Sequence, residues 1–300
     1  MVRAGFATRC ITPARGAEIP GLFERRVAVG THDDLCVRAA VVDDGEQCVA
    51  LVQVDAIAVS DELVASARRQ AAKLCGIPRR NCLIAATHTH SGGPLFGGFM
   101  SEPDPKYVAW VAEDAAGAIA EAHTKCVPAR VGTGSGTAEG VAYNRRFHMR
   151  GGRTMTHPGK RNPDRLSPAG PADPTVTLIG FADPDTFQPM GCVVSYACHA
   201  THMNGVQFSA DYPYWLVKTL QAVYGPAFGV VFLNGACGDV TQLDNENPRS
   251  DEIGPYWCER TGRVVAAGAL QALARIDYYT TATVAAKKST VRVPIRASSP

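Results

Sequence analysis

A chain of 300 residues is long enough to bury a sizeable core, as one large domain or two ordinary ones. With 46% hydrophobic and 19% charged residues and no long apolar run, the composition excludes a disordered or membrane-spanning chain. Thirty basic against 28 acidic residues leave a formal charge of +2, which gives no bias toward nucleic acid or an anionic membrane.

Met1 to Thr8 carry no apolar core of signal-peptide length. The ten cysteines are scattered without a Cys-x-x-Cys pair, most of them inside apolar runs. That usage fits reduced, buried thiols in a cytoplasmic chain better than a disulfide framework or a four-cysteine zinc site. Cys36 to Asp55 reads as two β-rich runs joined by a turn containing Asp44-Gly45, a hairpin. Ser60-Asp61-Glu62 opens a helix over about 60–75, stopped by Gly76 and Pro78. Cys82 to Ala86 is a short buried strand that runs into Thr87-His88-Thr89-His90-Ser91-Gly92-Gly93. A second helix over about 105–122 begins at Asp104-Pro105. Arg145 to Pro174 is rich in Arg, Gly, Pro and Asn without periodicity, and reads as a functional lid or a solvated insertion.

Strands resume at Thr175–Phe181 and Gly191–Ala197, the latter ending at Cys198-His199-Ala200-Thr201-His202. Asp211-Tyr212-Pro213 starts a helix to about Tyr224, and Phe228–Leu233 is a buried strand ending in the turn Asn234-Gly235-Ala236-Cys237-Gly238-Asp239-Val240-Thr241. A long helix from about Pro255 to Arg275 and a β-rich tail, Thr281 to Ile295, complete the pattern. No internal repeat is visible. Three polar clusters thus follow three apolar strands, an α/β arrangement with helices covering the sheet faces.

Residues two apart on an extended chain share a face, so His88 and His90 can point into one site, and a pair of neutral imidazoles suits zinc. His199 ends a buried strand. His202 shares its face only if the chain turns helical after Ala197. Cys237 reads either as a nucleophile beside a histidine or as a small-residue packing solution. Asp33-Asp34 reads as a hard-cation site or, more plainly, as an Asx-type turn.

The order of Gly5-Phe-Ala-Thr8, Ile11-Thr12-Pro13, Gly30-Thr-His-Asp-Asp34, Ala86-Thr-His-Thr-His-Ser-Gly92, Tyr143-Asn144-Arg145, His199 and Asn234-Gly-Ala-Cys-Gly-Asp-Val240 resembles the neutral/alkaline ceramidase family over residues 5 to about 245. In that family a zinc-activated water cleaves an amide bond. The resemblance implies Zn2+ as cofactor, His88 and His199 as its ligands, and His90 and Arg145 as residues that polarise or protonate the substrate. Thr241 stands where the family has a serine contacting the reacting centre. The implied fold is two stacked, mainly β sheets flanked by helices, one catalytic domain over 1–300 with the metal at strand ends. The family's two further ligands, a glutamate and a tyrosine, come from a region that falls beyond Pro300. A complete site therefore needs chain beyond that point, or a substitute among Asp55, Asp211, His90 and His202, or it holds metal weakly. The expected function is a zinc-dependent hydrolase acting on an amide or related linkage of a small molecule. No nucleic acid and no stable membrane association are expected. The alternatives are a metal-free hydrolase using Cys237 with a histidine, and a non-catalytic relative that binds a ligand or metal.

Overall fold

The computed structural model describes residues 1–98, 100–248 and 251–294. The first sheet holds β1 (Arg3–Cys10), β2 (Cys36–Asp43), β3 (Cys48–Val54) and β4 (Cys82–Ala86). β1–β2 and β2–β3 pair antiparallel, and β3–β4 pair parallel. The parallel pair requires a crossover, which is α1 (Asp61–Cys75). Ser60 accepts from the Leu63 amide at its start, and Gly76 ends it at φ 77°, a left-handed turn that glycine adopts without strain. After β4 comes α2 (Pro105–Thr124), capped by Asp104 and lying over β1 and β2.

The second sheet holds β5 (Arg130–Thr137), β6 (Thr175–Ala182), β7 (Pro189–Tyr196) and β8 (Gly229–Asn234). Its pairing repeats the first: β5–β6 and β6–β7 antiparallel, β7–β8 parallel. The crossover here is α3 (Tyr212–Tyr224), and α4 (Pro255–Leu273) then lies over β5 and β6. The chain is therefore two βββαβα units in tandem, a repeat absent from the residue pattern.

Strand alternation assigns each face. In β2, Val37, Ala39 and Val41 pack under α1 and α2, while Ala40 and Val42 join Ala4, Phe181, Val193 and Val231 between the two sheets. In β6 and β7, Val176, Leu178, Cys192 and Val194 turn to α3 and α4. Four layers result, helices outside and two sheets inside. Burial on both faces explains why β2 reads as a continuous apolar run rather than an alternating one.

Two expected segments differ. Residues 145–174 contain a small sheet with Arg146–Met149 at its centre, flanked by Thr154–Thr156 and Arg165–Pro168. Phe147 and Met149 are buried between exposed Arg146 and His148, an alternation too short to register in a periodicity window. The tail is not a strand: residues 281–294 make no ladder, because the edge of β5 takes only a single bridge, between Val131 and Tyr279. Ile295 lies outside the described residues. No helix is long and apolar enough to cross a membrane among the described residues.

Candidate metal centre

The C-terminal ends of β4, β7 and β8 meet at the seam between the two sheets, the end of parallel strands at which ligands bind in open α/β folds. Asn234 holds this seam shut: its Nδ2 donates to the carbonyls of Thr87 (3.0 Å) and Cys198 (3.1 Å). Beyond it, Thr89 bridges to Ala200, and the His90 amide donates to the Ala200 carbonyl.

His88 follows β4 with φ 68°, a left-handed backbone that a non-glycine residue adopts at a cost of order 1–3 kcal/mol. The neighbourhood enforces it, since the His88 amide donates to Ala56 O and its Nδ1 donates to Ile57 O at 2.8 Å. His199 is held the same way, with Nδ1 donating to Cys237 O at 2.7 Å. The two Nε2 atoms then face each other 3.2 Å apart. A carbonyl only accepts, so each Nδ1 carries its ring's proton, and each Nε2 of a neutral ring presents a lone pair. Two facing lone pairs repel unless a cation lies between them. A tetrahedral site with metal–nitrogen bonds of 2.0–2.1 Å has nitrogen–nitrogen edges of about 3.3 Å, which the observed spacing fits.

His90 supplies a third imidazole, its ring centroid 5.0 Å from that of His88 and 5.6 Å from that of His199. Its Nδ1 donates to Gly21 O at 2.6 Å, while its buried Nε2 has no hydrogen-bond partner. Burial holds the His90 ring neutral down to about 4, with His88 adding to the effect. Burial first, then the charge of Arg145, also pushes His199 down to about 4. Arg145 donates Nη2 to Gly238 O at 2.7 Å, and its backbone amide donates to Asp239 O. These residues fit a divalent metal: the lone pairs of His88 and His199 converge, a third imidazole with an orphaned buried nitrogen packs beside them, and carbonyls behind the rings fix the tautomers as outer partners of ligating histidines do.

Ligand atoms of His88, His199 and Cys237 all lie within 4.8 Å of one another. Burial pushes the Cys237 thiol up, opposite to what a free nucleophile requires. Thr241 is buried and donates its hydroxyl to Gln242 Oε1, which also accepts from Thr201.

Three of the substitutes considered from sequence lie elsewhere. Asp55 is buried at the start of the loop after β3, where it accepts from the Cys36 amide and Gln53 beside Arg38. The chain stays non-helical after Ala197, so His202 points away from His199, into a fully buried pair with Asp211 at 2.7 Å and to Thr261. Asp211 also caps α3 through the Tyr212 amide. Asp33 is no cation site either: it accepts from Ser209, the Ala210 amide and His32.

The orienting carbonyls of Gly21, Ile57 and Cys237 and the bridging Asn234 were not anticipated. The first three act through backbone and leave no residue-type signal; Asn234 had a signal in its place at a strand end.

Among solved structures the chain is similar to the neutral ceramidase from Pseudomonas aeruginosa, at 21% identity and a TM-score of 0.75, over 91% of this chain and 45% of that one. A ceramidase complexed with C2 is similar at 21% identity and a TM-score of 0.74, over 91% of this chain and 44% of that one. This is the neutral ceramidase fold. The ceramidase-like fold agrees with the motif resemblance and with the expected α/β class of stacked sheets flanked by helices. The chain spans less than half the length of either ceramidase structure. No family model matches the sequence, and no curated protein does.

Proposed function

We propose that this chain is a metal-dependent hydrolase that cleaves an amide or related linkage of a small molecule, with zinc held by His88 and His199. What carries this reading is the pair of Nε2 lone pairs turned on each other at 3.2 Å, each fixed by a carbonyl behind its ring. When bound, zinc lowers the pKa of a coordinated water to about 7 and polarises a carbonyl. The protein's own groups supply the rest. Arg145, anchored to Gly238, sets a positive charge beside His199 where negative charge develops on a substrate oxygen. His90 is neutral at physiological pH and offers its unpartnered Nε2 as the atom that takes a proton from the attacking water and returns it to the leaving amine. Thr241 is buried with its hydroxyl committed to Gln242, so it acts by holding the turn after Asp239 in place.

All ten cysteines are unpaired, which supports a reducing, cytoplasmic setting. The similar proteins are ceramidases by name, so ceramide belongs in the substrate panel beside soluble N-acyl amides and esters. Purified protein is expected to contain stoichiometric zinc and to lose hydrolysis on chelation. His88→Ala is expected to weaken both metal binding and hydrolysis by more than about 100-fold, since losing even a residue behind a ligand costs 10–100-fold. Protein without stoichiometric metal, whose hydrolysis His88→Ala leaves intact, overturns the proposal; activity abolished by thiol alkylation but indifferent to chelators places the chemistry on Cys237.

A further inference from the structure

We infer that Cys237 is the third protein ligand of the metal, so that the site is His2Cys. The inference rests on the metal-dependent reading above and gives it a ligand set drawn from this chain alone. Three observations carry it.

First, the Cys237 thiol is the remaining ligand-type atom that lies within 4.8 Å of ligand atoms of both His88 and His199 among the described residues. A tetrahedral site with zinc–sulfur bonds of about 2.3 Å has nitrogen–sulfur edges of about 3.6 Å, so closure asks for a shift of about 1.2 Å at most. Second, Cys237 is already tied to the centre through its backbone, because its carbonyl holds the Nδ1 proton of His199. The turn that orients one ligand thereby delivers another. Third, the tandem βββαβα topology gives the turn after β8 the same place in its unit as the turn after β4 has in the first. His88 stands two residues beyond β4, and Cys237 three residues beyond β8. The two units thus present one ligand each from equivalent strand ends, and His199 adds the other from β7.

Burial raises the thiol's pKa in the metal-free chain, but a coordinated thiol gives up its proton outright, and the site releases one proton for each metal taken up. Thiolate with two imidazoles is a borderline-soft donor set, which selects zinc or cobalt over magnesium, calcium and manganese. Three protein ligands leave the fourth position for water, the arrangement of catalytic rather than structural zinc. His90 stays outside the ligand set, and its unpartnered nitrogen serves the substrate.

Cobalt(II) titrated into the metal-free 300-residue chain tests this without reference to activity. The expected spectrum has visible bands of a tetrahedral ion together with near-ultraviolet sulfur-to-cobalt charge transfer. In Cys237→Ser the charge-transfer band disappears and cobalt binds more than about 100-fold more weakly. X-ray absorption on the zinc form of the unaltered protein needs no variant, and is expected to show one sulfur at about 2.3 Å. Cobalt bound in a His88-dependent manner with no charge-transfer band, or a zinc shell of nitrogen and oxygen only, overturns the cysteine ligand and leaves the hydrolase reading standing. A charge-transfer band that survives in Cys237→Ser also overturns it, since another thiol then binds. Failure to bind cobalt or zinc at all overturns both readings together.

Discussion

Three imidazoles in this protein share one device: a backbone carbonyl holds Nδ1–H and leaves Nε2 without a proton. The device has a consequence for stability. Burial keeps His90 and His199 neutral down to about 4, whereas histidines in the unfolded chain ionise near 6.5. Above about pH 6.5 neither state is protonated and the two rings cost nothing. As the pH falls from about 6.5 to about 4, the unfolded chain takes up protons that the folded one refuses, so the metal-free protein loses stability across that window. Urea midpoints of metal-free protein at several pH values are expected to fall through it. The doubly substituted His90→Gln, His199→Gln protein is expected to fall less steeply, and equal slopes would disprove that burial holds these two rings neutral. The His-x-His pair and the strand-ending His199 were legible in the sequence because residue type and two-residue spacing carry them. The carbonyls that aim the rings were not, since any residue supplies a carbonyl.

Helix starts and stops were also legible, because each rests on a local interaction. Ser60 caps α1 as expected from sequence, and Asp104 and Asp211, read there only as helix starts, cap α2 and α3 through their own side chains. What escaped depended on non-local partners: the β-rich tail pairs with no strand beyond the single Val131–Tyr279 bridge that precedes it, and the 145–174 segment gains strands by pairing with itself. Glycine placement on β5 belongs to the same class. Gly132, Gly134 and Gly136 share one face, Gly132 against the residues just after α4 and Gly136 under the helix itself, where an added Cβ would meet the Gly268 carbonyl of the helix backbone. The alternation brings α4 against β5 at backbone distance, so Gly136→Ala forces helix and sheet apart. Its expected cost is about 1–3 kcal/mol, the usual range for overpacking. Gly205→Ala meets nothing within 4 Å and is expected to stay within about 0.5 kcal/mol, so chemical denaturation of the two variants separates packing from backbone entropy. Equal effects would refute the close-approach reading.

At the scale of the whole molecule, two units of the same topology face each other, and the candidate metal site lies on the seam where their parallel strand ends meet. The residue pattern does not show this shared topology, because strand pairing and crossover order are preserved by any residues that keep the apolar faces apolar. The proposed ligands divide between the units: His88 from the first, His199 and Cys237 from the second. A cation held by both therefore links the two sheets at one end, where Asn234 and the Thr89–Ala200 bridge are the neighbouring connections. A metal that binds only the assembled seam stabilises the entire fold by mass action, by about 4 kcal/mol when free zinc exceeds Kd a thousandfold. Unfolding followed by probes in both units is expected to shift to higher denaturant together on zinc addition, and to return on chelation. In His88→Ala the zinc-dependent shift is expected to vanish although His199 and Cys237 remain on the second unit. A zinc shift that persists in that variant, or one confined to probes in the second unit, would mean that the metal is held within one unit and does not join the two.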